Sequence, residues 1–505
     1  MYTFIINYCE RMKILSAQQI HGWDAYTIAN EPITSVNLME RAATACTDYI
    51  TQQNFFNKPF KVFCGKGNNG GDGLAVARQL LQQHFDVSVY IIEFGAAGTG
   101  DFQTNLQRLH ELTVNIHFIQ DEGFFPVINK NDIVIDALFG SGLNRPLKDL
   151  SAALVQHINQ SEAFVISIDV PSGMFIDKSS INNAVVRANV TLTFQQYKLC
   201  FLVAENAENT GKLIILDIGL LPGFLNDIET VFQTADAASI QHIYKPRKPF
   251  SHKGSYGHAL IIAGNTGKMG AALMAAHACL RAGAGLTTLN IPSAFLNAVH
   301  SHLPEAMCQL RENGLSFEKI NAVGIGPGLG TGDDSLQLIE QTLNEYKLPS
   351  VIDADALNII STHKRLSRLI TPGSILTPHP KEFERLFGKA ENDFERIDTA
   401  LKKSAELNCV IILKGTYTLI AQNGKGWFNT TGNAGLAKGG SGDILTGIVT
   451  ALLAQKYHPF EAALLGVYLH GLAADIALEK QSQESMIASD VVNCLGAAFG
   501  GLLMG

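Results

Sequence analysis

The chain has 505 residues, of which 46% are apolar and only 17% are charged, so it can form two or more domains with large cores and is not a disordered chain. Its net charge of −8 argues against nucleic acid or an anionic membrane as the main partner, although a phosphorylated small molecule needs only local positive potential. The eight cysteines contain no CxxC pair, which excludes a zinc knuckle or a redox motif and favours reduced, buried thiols.

The N-terminus, MYTFIINYCERMKIL, has a short apolar part followed by charged residues. It therefore resembles neither a secretory signal nor a membrane span. A second methionine, Met12, opens MKILSAQQI, so we interpret the first eleven residues as an extension from an upstream start. We expect a soluble, cytoplasmic protein.

In the first half of the chain, short β-branched runs alternate with amphipathic stretches, one of which is the helical pattern GLAVARQLLQQ at 73–83. This alternation predicts a mostly parallel sheet covered by helices on both faces. The predicted strands are 61–64, 87–92, 132–139, 164–170, 190–194 and 213–218.

The alternation of predicted strands and helices becomes irregular near residue 230. The segment 235–253 contains the basic, proline-bearing run KPRKPFSHKG. We therefore place a domain boundary at about 228–246. Alternation then resumes. The predicted strands of the second half are 258–264, 285–291, 322–326, 350–357, 374–378, 409–415 and 418–424, and its predicted helices include 271–283, 443–454 and 460–478. We expect two unrelated α/β domains, at 12–228 and 240–505.

The predicted strand KVFC leads into a glycine-rich turn, Gly65 to Gly73, and then a helix. Such a turn lets backbone N–H groups face a ligand, and the helix N-terminus adds positive potential that suits a nucleotide phosphate. A plain tight turn between strand and helix is the alternative. The turn is not a P-loop, because no Lys-Ser/Thr pair follows the glycines.

Two aspartates, Asp136 and Asp169, fall at predicted strand ends, each followed by a turn of small residues. Ligands of open parallel sheets bind at the carboxyl ends of strands. One such acid could be a helix cap, but two acids together with Asn68, Asn69 and the glycine turn predict a binding site.

The motifs NNGGDG, DALFGSGLNRP and DVPSG together resemble the NAD(P)H-hydrate epimerase domain over roughly residues 12–225. The resemblance implies a Rossmann-like domain that interconverts the R and S epimers of hydrated NADH and NADPH, with Asp169 as the acid–base group. It also implies a potassium ion held by Asn69, Asp136 and Ser172. The implied hydrate contacts are Asn68, Asn69, Gly70, Gly71, Asp72, Gly140, Ser141, Gly142, Leu143, Asn144, Arg145, Pro146 and Asp169. Lys198, in TFQQYKLC, is a candidate polar contact, but a solvated surface lysine is the favoured interpretation.

The run GNAGLAKGGSGDILTGIVTALLA at 432–454 is the strongest evidence for a catalytic site in the second half. The N–H groups of its glycine turn, 439–442, can bind a developing anion, and Asp443 can accept the proton of a hydroxyl that attacks a phosphoryl group. A helix that merely begins with a favourable aspartate is the alternative, but it leaves the flanking glycines, each costly in backbone entropy, unexplained.

This turn resembles the GxGD motif of the ribokinase-like superfamily. With 252–286, 323–330, DADALN and TPHPKEFERL, it is similar to the NAD(P)H-hydrate dehydratase domain over roughly 240–505. The resemblance implies phosphorylation of the S hydrate's hydroxyl at the expense of ADP, with magnesium, followed by loss of phosphate. The implied hydrate contacts are Ala271, Gly328, His379 and Asp443, and the implied adenine-nucleotide contacts are Lys414, Gly415, Thr416, Tyr417, Thr418 and Gly442.

Some residues allow a second interpretation. His379 can be a structural histidine, and Lys414 can extend its ammonium from a strand end to solvent. Lys438 and Ala434 depart from the family's pattern, which has a small or hydroxyl residue and often a proline at these positions.

We therefore predict a bifunctional repair enzyme, epimerase then dehydratase, that forms a homo-oligomer and binds neither membrane nor nucleic acid. The alternatives are a ribokinase-type vitamin kinase with an N-terminal nucleotide-binding module, and a non-catalytic first half.

Overall fold

The computed structural model describes residues 13–55 and 57–504. The predicted extension at 1–11 and Cys9 lie outside these residues. The chain divides into two compact units, Lys13–Thr230 with Asn392–Phe394, and Val231–Glu391 with the chain from Glu395 onward. They are called the N-terminal and C-terminal units below.

The N-terminal unit contains a parallel sheet in the order β4-β3-β2-β5-β6-β7-β8. Its strands, with the short β1, are β1 Lys13–Ile14, β2 Phe60–Cys64, β3 Val87–Ile92, β4 Ile116–Ile119, β5 Ile133–Ala137, β6 Phe164–Ile168, β7 Val190–Phe194 and β8 Lys212–Leu216. Its helices are α1 Ala17–Asn30, α2 Ser35–Thr51, α3 Asn68–Gln82, α4 Gly100–His110, α5 Asp149–Gln160, α6 Ala207–Thr210 and α7 Gly223–Asn226.

From residue 231 onward, ten strands lie side by side in the order β9-β18-β17-β16-β15-β14-β13-β10-β11-β12. They are β9 Phe232–Ala235, β10 His258–Ile262, β11 Leu286–Ile291, β12 Met307–Leu310, β13 Ala322–Ile325, β14 Ser350–Ile352, β15 Ile375–Leu376, β16 Val410–Leu413, β17 Leu419–Gln422 and β18 Lys425–Asn429. Only the β16–β17 and β17–β18 pairs among these described strands are antiparallel.

The helices of this part of the chain cover the sheet on both faces. They are α8 Ala237–Ile243, α9 Met269–Arg281, α10 Leu296–His302, α11 Asp333–Glu345, α12 Ala354–Thr362, α13 Pro380–Phe387, α14 Asp393–Glu406, α15 Ser441–Ala454, α16 Pro459–Leu478 and α17 Ala488–Met504. The α/β fold class with mostly parallel, helix-covered sheets is confirmed. The central strands are continuous apolar runs because both of their faces are buried.

Within the described part of the chain, one helix, α16, is long and apolar enough to cross a membrane by length and composition. However, 67% of its apolar window is buried inside the protein, where the helix packs against α15 and α17. These properties are those of a core helix.

The structure corrects several predicted boundaries. The run 350–357 is not one strand, because β14 ends at Ile352 and α12 begins at Ala354. The helix predicted at 73–83 begins earlier, at Asn68, so the Asn-Asn-Gly-Gly-Asp motif forms its first turns. The edge strands β4 and β12 escaped prediction because they are partly exposed and lack a continuous apolar run.

Candidate active sites

The sheet of the N-terminal unit reverses its strand order between β2 and β5. Successive strands after β2 extend the sheet in one direction, and strands after β5 extend it in the other. The connections leaving the carboxyl ends of these two strands therefore separate and leave a crevice, which is the usual ligand site of such sheets. The glycine turn after β2 and the residues after β5 both border this crevice.

Helix α3 begins inside the predicted glycine motif, and its N-terminus faces the crevice. A Cβ atom on Gly70 would lie 1.7 Å from the carbonyl oxygen of Gly65, so only glycine allows the helix to start this close to the strand. Asn68 is exposed and Asn69 is buried. The motif thus places free N–H groups and two amide side chains at the head of the crevice.

Asp169 lies directly after β6 and pairs with Lys198. The Lys198 Nζ atom is 2.9 Å from Asp169 Oδ1, and Asp169 Oδ2 accepts a hydrogen bond of 2.9 Å from the Ser141 N–H. Burial alone would raise the pKa of Asp169, but the Lys198 ammonium and the Ser141 hydrogen bond outweigh burial and lower it below its ordinary value. Asp169 is therefore a carboxylate at neutral pH, held in the left-handed region at φ 67°.

The favoured interpretation of Lys198 as a surface lysine is wrong. Its side chain is only 1% exposed, and it also donates a hydrogen bond to Thr193. Its sequence neighbourhood, TFQQYKLC, gives no sign of this burial, because the carboxylate that stabilises it is supplied by another strand.

The three oxygen-bearing residues predicted to hold potassium lie at this edge of the sheet. Asp136 Oδ2 accepts hydrogen bonds from Ser167 Oγ at 2.8 Å and from the Ser172 N–H at 2.9 Å, and the Ser172 hydroxyl also contacts this carboxyl group. Burial raises the pKa of Asp136 in spite of these bonds. Both side-chain polar atoms of Asn69 are buried and have no hydrogen-bond partner among the described residues.

The loop after β5 closes one side of the crevice. A Cβ atom on Gly140 would lie 2.9 Å from Asp169 Oδ2 and 3.1 Å from Asn69 Oδ1, so these two side chains converge on the loop. The resulting cavity has a volume of about 590 Å³. Of the predicted hydrate contacts, those lining it are Asn68, Asn69, Asp72, Gly140, Ser141, Gly142, Leu143, Asn144, Arg145 and Asp169, whereas Gly70, Gly71 and Pro146 do not line it.

The sheet of the C-terminal unit reverses its strand order between β10 and β13. Its crevice brings together two predicted contacts that are far apart in sequence. A Cβ atom on Gly328 would lie 2.9 Å from the Ala271 Cβ and 2.7 Å from the Lys268 carbonyl oxygen. Gly328 has φ 62°. A larger residue would clash with Lys268 and Ala271 and would prevent this close contact between the loop after β13 and the start of α9.

The glycine turn before α15 is built around Gly440, which caps the helix with φ 96°. Asp443 lies in the first turn of the helix, as predicted. Ser441 Oγ is 3.4 Å from Nε2 of the buried His470, whose pKa burial lowers to about 4, so this histidine is neutral. Helix α15 packs against β10, β13 and β14, and its first turn lies beside Lys414 and Asp353. The unpaired N–H groups of such a helix start can bind an anion.

Lys414 follows β16 and reaches the start of α15. Its Nζ atom is 2.9 Å from Asp353 Oδ1 and would be 3.3 Å from a Cβ atom on Gly442. Asp353 is 1% exposed, and its Oδ2 accepts a 2.7 Å hydrogen bond from Thr446. Burial alone would lower the pKa of Lys414, but Asp353 and Glu382 outweigh burial and raise it. Lys414 is therefore a fixed cation beside the glycine turn and does not extend into solvent.

Burial raises the pKa of Asp443 to about 6, and the neighbouring charge of Asp353 adds to this effect while Lys414 opposes it. A carboxyl group with this pKa is mostly ionised at neutral pH and still basic enough to accept a proton. It therefore meets the requirement for a general base.

His379 is the N-cap of α13. Its Nδ1 accepts a hydrogen bond of 3.1 Å from the Lys381 N–H, while Glu382 Oε2 accepts one of 2.9 Å from the His379 N–H. Nε2 lies 3.3 Å from Glu382 Oε1. The structural interpretation of this histidine is thus supported, and its partly exposed ring leaves room for a second role.

The two residues that depart from the family's pattern lie on the protein surface. Lys438 is exposed and donates a hydrogen bond to the Glu484 carbonyl oxygen, and Ala434 is exposed in a short 3-10 helix. The loop that carries Ala434 is fixed by Asp475, which accepts hydrogen bonds from the Gly432 N–H at 2.8 Å and from Asn433 Nδ2 at 3.0 Å. The two departures therefore leave the turn at 439–443 intact.

Comparison with known proteins bears on both units. Residues 35–200 match the family described as YjeF-related protein N-terminus, and residues 259–495 match the family described as NAD(P)H-hydrate dehydratase. The bifunctional NAD(P)H-hydrate repair enzyme Nnr of Moorella thermoacetica is 33% identical over 96% of this chain and 96% of its own length. The chain belongs to the bifunctional NAD(P)H-hydrate repair enzymes.

Other proteins are also similar to this chain. The enzyme of the same name from Escherichia coli K12 is 34% identical over 92% of this chain and 89% of its own length. A ribokinase-like superfamily protein from Enterococcus faecalis matches with a TM-score of 0.50 and 27% identity, covering 55% of this chain and 98% of its own. An ADP/ATP-dependent NAD(P)H-hydrate dehydratase from Bacillus subtilis is 31% identical over 53% of this chain and 98% of its own, with a TM-score of 0.48.

The family assignment confirms the predicted function: the chain is an NAD(P)H-hydrate epimerase and an NAD(P)H-hydrate dehydratase. The vitamin-kinase alternative and the non-catalytic alternative for the first half are not favoured. The ribokinase-like fold of the dehydratase is confirmed as well.

Several residues of the two sites escaped sequence analysis. They are Asp24, His21 and Gln196 in the epimerase cavity and Asp353, Glu382 and Thr446 in the dehydratase site. The amide atoms of Gln196 are buried without a partner among the described residues. DADALN and TPHPKEF contain Asp353 and Glu382, so those motifs did carry a signal, whereas no pattern around Asp24 singled it out.

Proposed function

We propose that Asp169 is the acid–base group of the epimerase and Asp443 the general base of the dehydratase, with the hydrate and nucleotide contacts assigned below. The observation that carries this proposal is that each unit holds one of these aspartates beside a lysine that follows a strand of its sheet. In each site the lysine opposes the effect of burial, so the aspartate remains able to act as a base near neutral pH.

In the epimerase site, the hydrate occupies the 590 Å³ cavity. Its phosphates lie against the N-terminus of α3, where Asn68, Asn69, Gly70, Gly71 and Asp72 form the first turns, and its hydrated ring lies beside Asp169. The loop from Gly140 to Pro146 covers it. Inversion of the carbon that bears the hydroxyl group requires that a proton be given and taken there, and Asp169 is the carboxylate nearest to this loop.

Asn69, Asp136 and Ser172 fit a potassium ion. They offer an amide oxygen without a partner, a carboxylate buried with a raised pKa, and a hydroxyl group, all of which are hard oxygen donors. The bound cation would supply positive charge that offsets the buried charge of Asp136. A potassium titration that stabilises the wild type more than Asn69→Ala, with sodium as the comparison salt, would support this assignment.

In the dehydratase site, Ala271, Gly328, His379 and Asp443 contact the S hydrate. Asp443 takes the proton of the hydrate's hydroxyl as it attacks the terminal phosphoryl group of ADP, and AMP leaves. The C–O bond of the phosphorylated hydrate then breaks and phosphate leaves with the electron pair, while the adjacent ring carbon loses a proton to solvent, which restores the double bond of the nicotinamide ring. The N–H groups before α15 stabilise the transferred group in both steps.

The nucleotide lies against Lys414, Gly415, Thr416, Tyr417, Thr418 and Gly442. The turn between β16 and β17 is closed by Thr418, whose hydroxyl donates to the Gly415 carbonyl oxygen at 3.1 Å. The Lys414 ammonium lies beside Gly442 and is the cation that binds the phosphates of the nucleotide.

Magnesium accompanies the nucleotide. Among the described residues, no three metal-ligating side chains form a group that could hold a metal ion. This fits magnesium, which keeps several waters and binds through phosphate oxygens with one or two carboxylates. Asp353 and Glu382 are the carboxylates beside Lys414 in this site. Magnesium would neutralise part of the charge of the phosphates.

The decisive experiment follows the absorbance of reduced nicotinamide after the purified chain is mixed with S-NADPH hydrate and ADP or, in parallel, ATP. We expect recovery with ADP at the higher rate. With the R hydrate, recovery should proceed at the enzyme's epimerisation rate, and Asp169→Ala should reduce it to the spontaneous rate while recovery from the S form is unchanged. Equal recovery from R hydrate by this variant would disprove the role of Asp169.

A further inference from the structure

The epimerase cavity contains a carboxyl group that no motif identified. Ile20, His21, Asp24 and Ile28 line the cavity from α1, at the spacing of one helix face. A Cβ atom on Gly142 would lie 3.5 Å from His21 Nε2, so this face of α1 closes on the loop after β5. The Ser141 N–H of the same loop donates to Asp169. Asp24 on α1 and Asp169 at the end of β6 therefore line the same cavity from two different elements.

We propose that Asp24 is a second catalytic carboxyl group of the epimerase, acting together with Asp169 on the hydrated ring. This inference rests on the proposed role of Asp169. Inversion of a carbon atom requires that the hydroxyl leave from one face and that water return on the other, so the reaction needs one group that gives a proton and a second group that takes one.

The charges around Asp24 and Asp169 give these two carboxyl groups different pKa values. Burial and the negative charge of Asp169 together raise the pKa of Asp24 to about 7, although Lys198 opposes both. The Asp72 carboxyl also faces Asp24, and burial with the charges of Asp169 and Asp24 raises its pKa well above the ordinary value. Asp169 is instead held ionised by Lys198. Carboxyl groups whose pKa values are driven apart in this way are typical acid and base partners.

The Asp24 carboxylic acid protonates the hydroxyl oxygen, the C–O bond breaks, and water leaves while the lone pair of the ring nitrogen forms a C=N⁺ bond. Water then adds to the other face, its electron pair forms the new C–O bond, and Asp169 takes its proton. One proton has moved from Asp24 to Asp169, and exchange with solvent returns it. The reverse direction uses the same pair with a single proton in total.

The test is the pH profile of epimerisation, measured without nucleotide so that no dehydration occurs, by separating the R and S hydrates. For the wild type, the rate should fall above about pH 7 in both directions, because the pair loses its one proton. Asp24→Asn should lower kcat by about 10²- to 10⁴-fold, change KM little and remove this dependence. Asp24→Glu should restore part of kcat together with the falling limb.

A matched control is Asp177→Asn, since Asp177 accepts a hydrogen bond of 2.9 Å from the Ala17 N–H at the start of α1 and does not line the cavity. It should keep the wild-type kcat and profile. An unchanged KM for the hydrate serves as the folding control for Asp24→Asn, because it reports on the N-terminal unit itself. If Asp24→Asn keeps the wild-type kcat and the falling limb while Asp169→Ala abolishes epimerisation, this inference alone is wrong. If Asp169→Ala retains epimerisation, the proposed site itself is wrong, and this inference with it.

Discussion

Lys198 Nζ lies 2.9 Å from Asp169 Oδ1, and the lysine side chain is 1% exposed. A buried ammonium is costly unless it is paired, and a buried carboxylate would otherwise be protonated. Each group therefore stabilises the charged form of the other. The pair maintains a base directly after β6 of the epimerase sheet.

Replacement of Lys198 tests whether Asp169 depends on this lysine to stay ionised. In Lys198→Met, burial of Asp169 is no longer opposed, so its pKa should rise and the acid limb of the epimerase pH profile should move to higher pH. Removal of one partner of a buried pair destabilises proteins by about 3–5 kcal/mol, which urea unfolding can measure. The control is Lys130→Met, which removes an exposed pair with Glu162 and should cost at most about 1 kcal/mol. An unshifted acid limb in Lys198→Met would contradict the role given to the lysine.

The base role of Asp443 predicts how dehydration responds to pH. Because its pKa is raised to about 6, the carboxylate is present above that pH and is lost below it. The kcat/KM of dehydration should therefore fall about tenfold per pH unit below about pH 6. Asp443→Asn should reduce kcat by about 10²- to 10⁴-fold. Epimerisation should be unaffected, and wild-type dehydration by this variant would refute the assignment.

Lys414 is expected to contribute to the binding of the nucleotide. Hydrogen bonds to charged groups contribute about 1.5–3 kcal/mol, so Lys414→Met should raise the KM for ADP by about 10- to 100-fold. It should also leave the buried Asp353 without its cation and lower the unfolding temperature. Thr446→Val, which removes the other side-chain hydrogen bond to Asp353, separates the two effects: it should lower stability with little change in KM. An unchanged KM in Lys414→Met would argue against a phosphate contact.

The glycine turn before α15 can be tested by two neighbouring substitutions. Gly440 has φ 96°, and a Cβ atom there would lie 2.5 Å from Met274 Sδ, so Gly440→Ala should destabilise the protein by about 1–3 kcal/mol and impair dehydration. A Cβ atom on Gly439 meets nothing within 4 Å, so Gly439→Ala should change stability by less than about 0.5 kcal/mol. Thermal unfolding of both variants measures the difference, and equal losses would show that the strained turn is not the cause.

Assembly remains a prediction. The homo-oligomer is predicted from the apolar run at 491–505. The residues of this run up to Met504 belong to helix α17, which packs against α9 and α16 and so gives them an internal partner. A measurement of the mass in solution tests the prediction.

Most of the strands and helices, the two glycine turns and the strand-end aspartates could be predicted from the sequence. These features are local, because apolar runs, backbone flexibility and a residue's place after a strand can all be read along the chain. Which distant side chains meet depends on the tertiary structure. Lys198 is part of the epimerase site because β7 pairs with β6, and Asp24 is part of it because α1 lines the same cavity. Lys414 is a fixed cation because Asp353, which follows β14, lies 2.9 Å away. The charge and pKa of a buried group depend on such partners, which pattern and spacing along the chain do not specify.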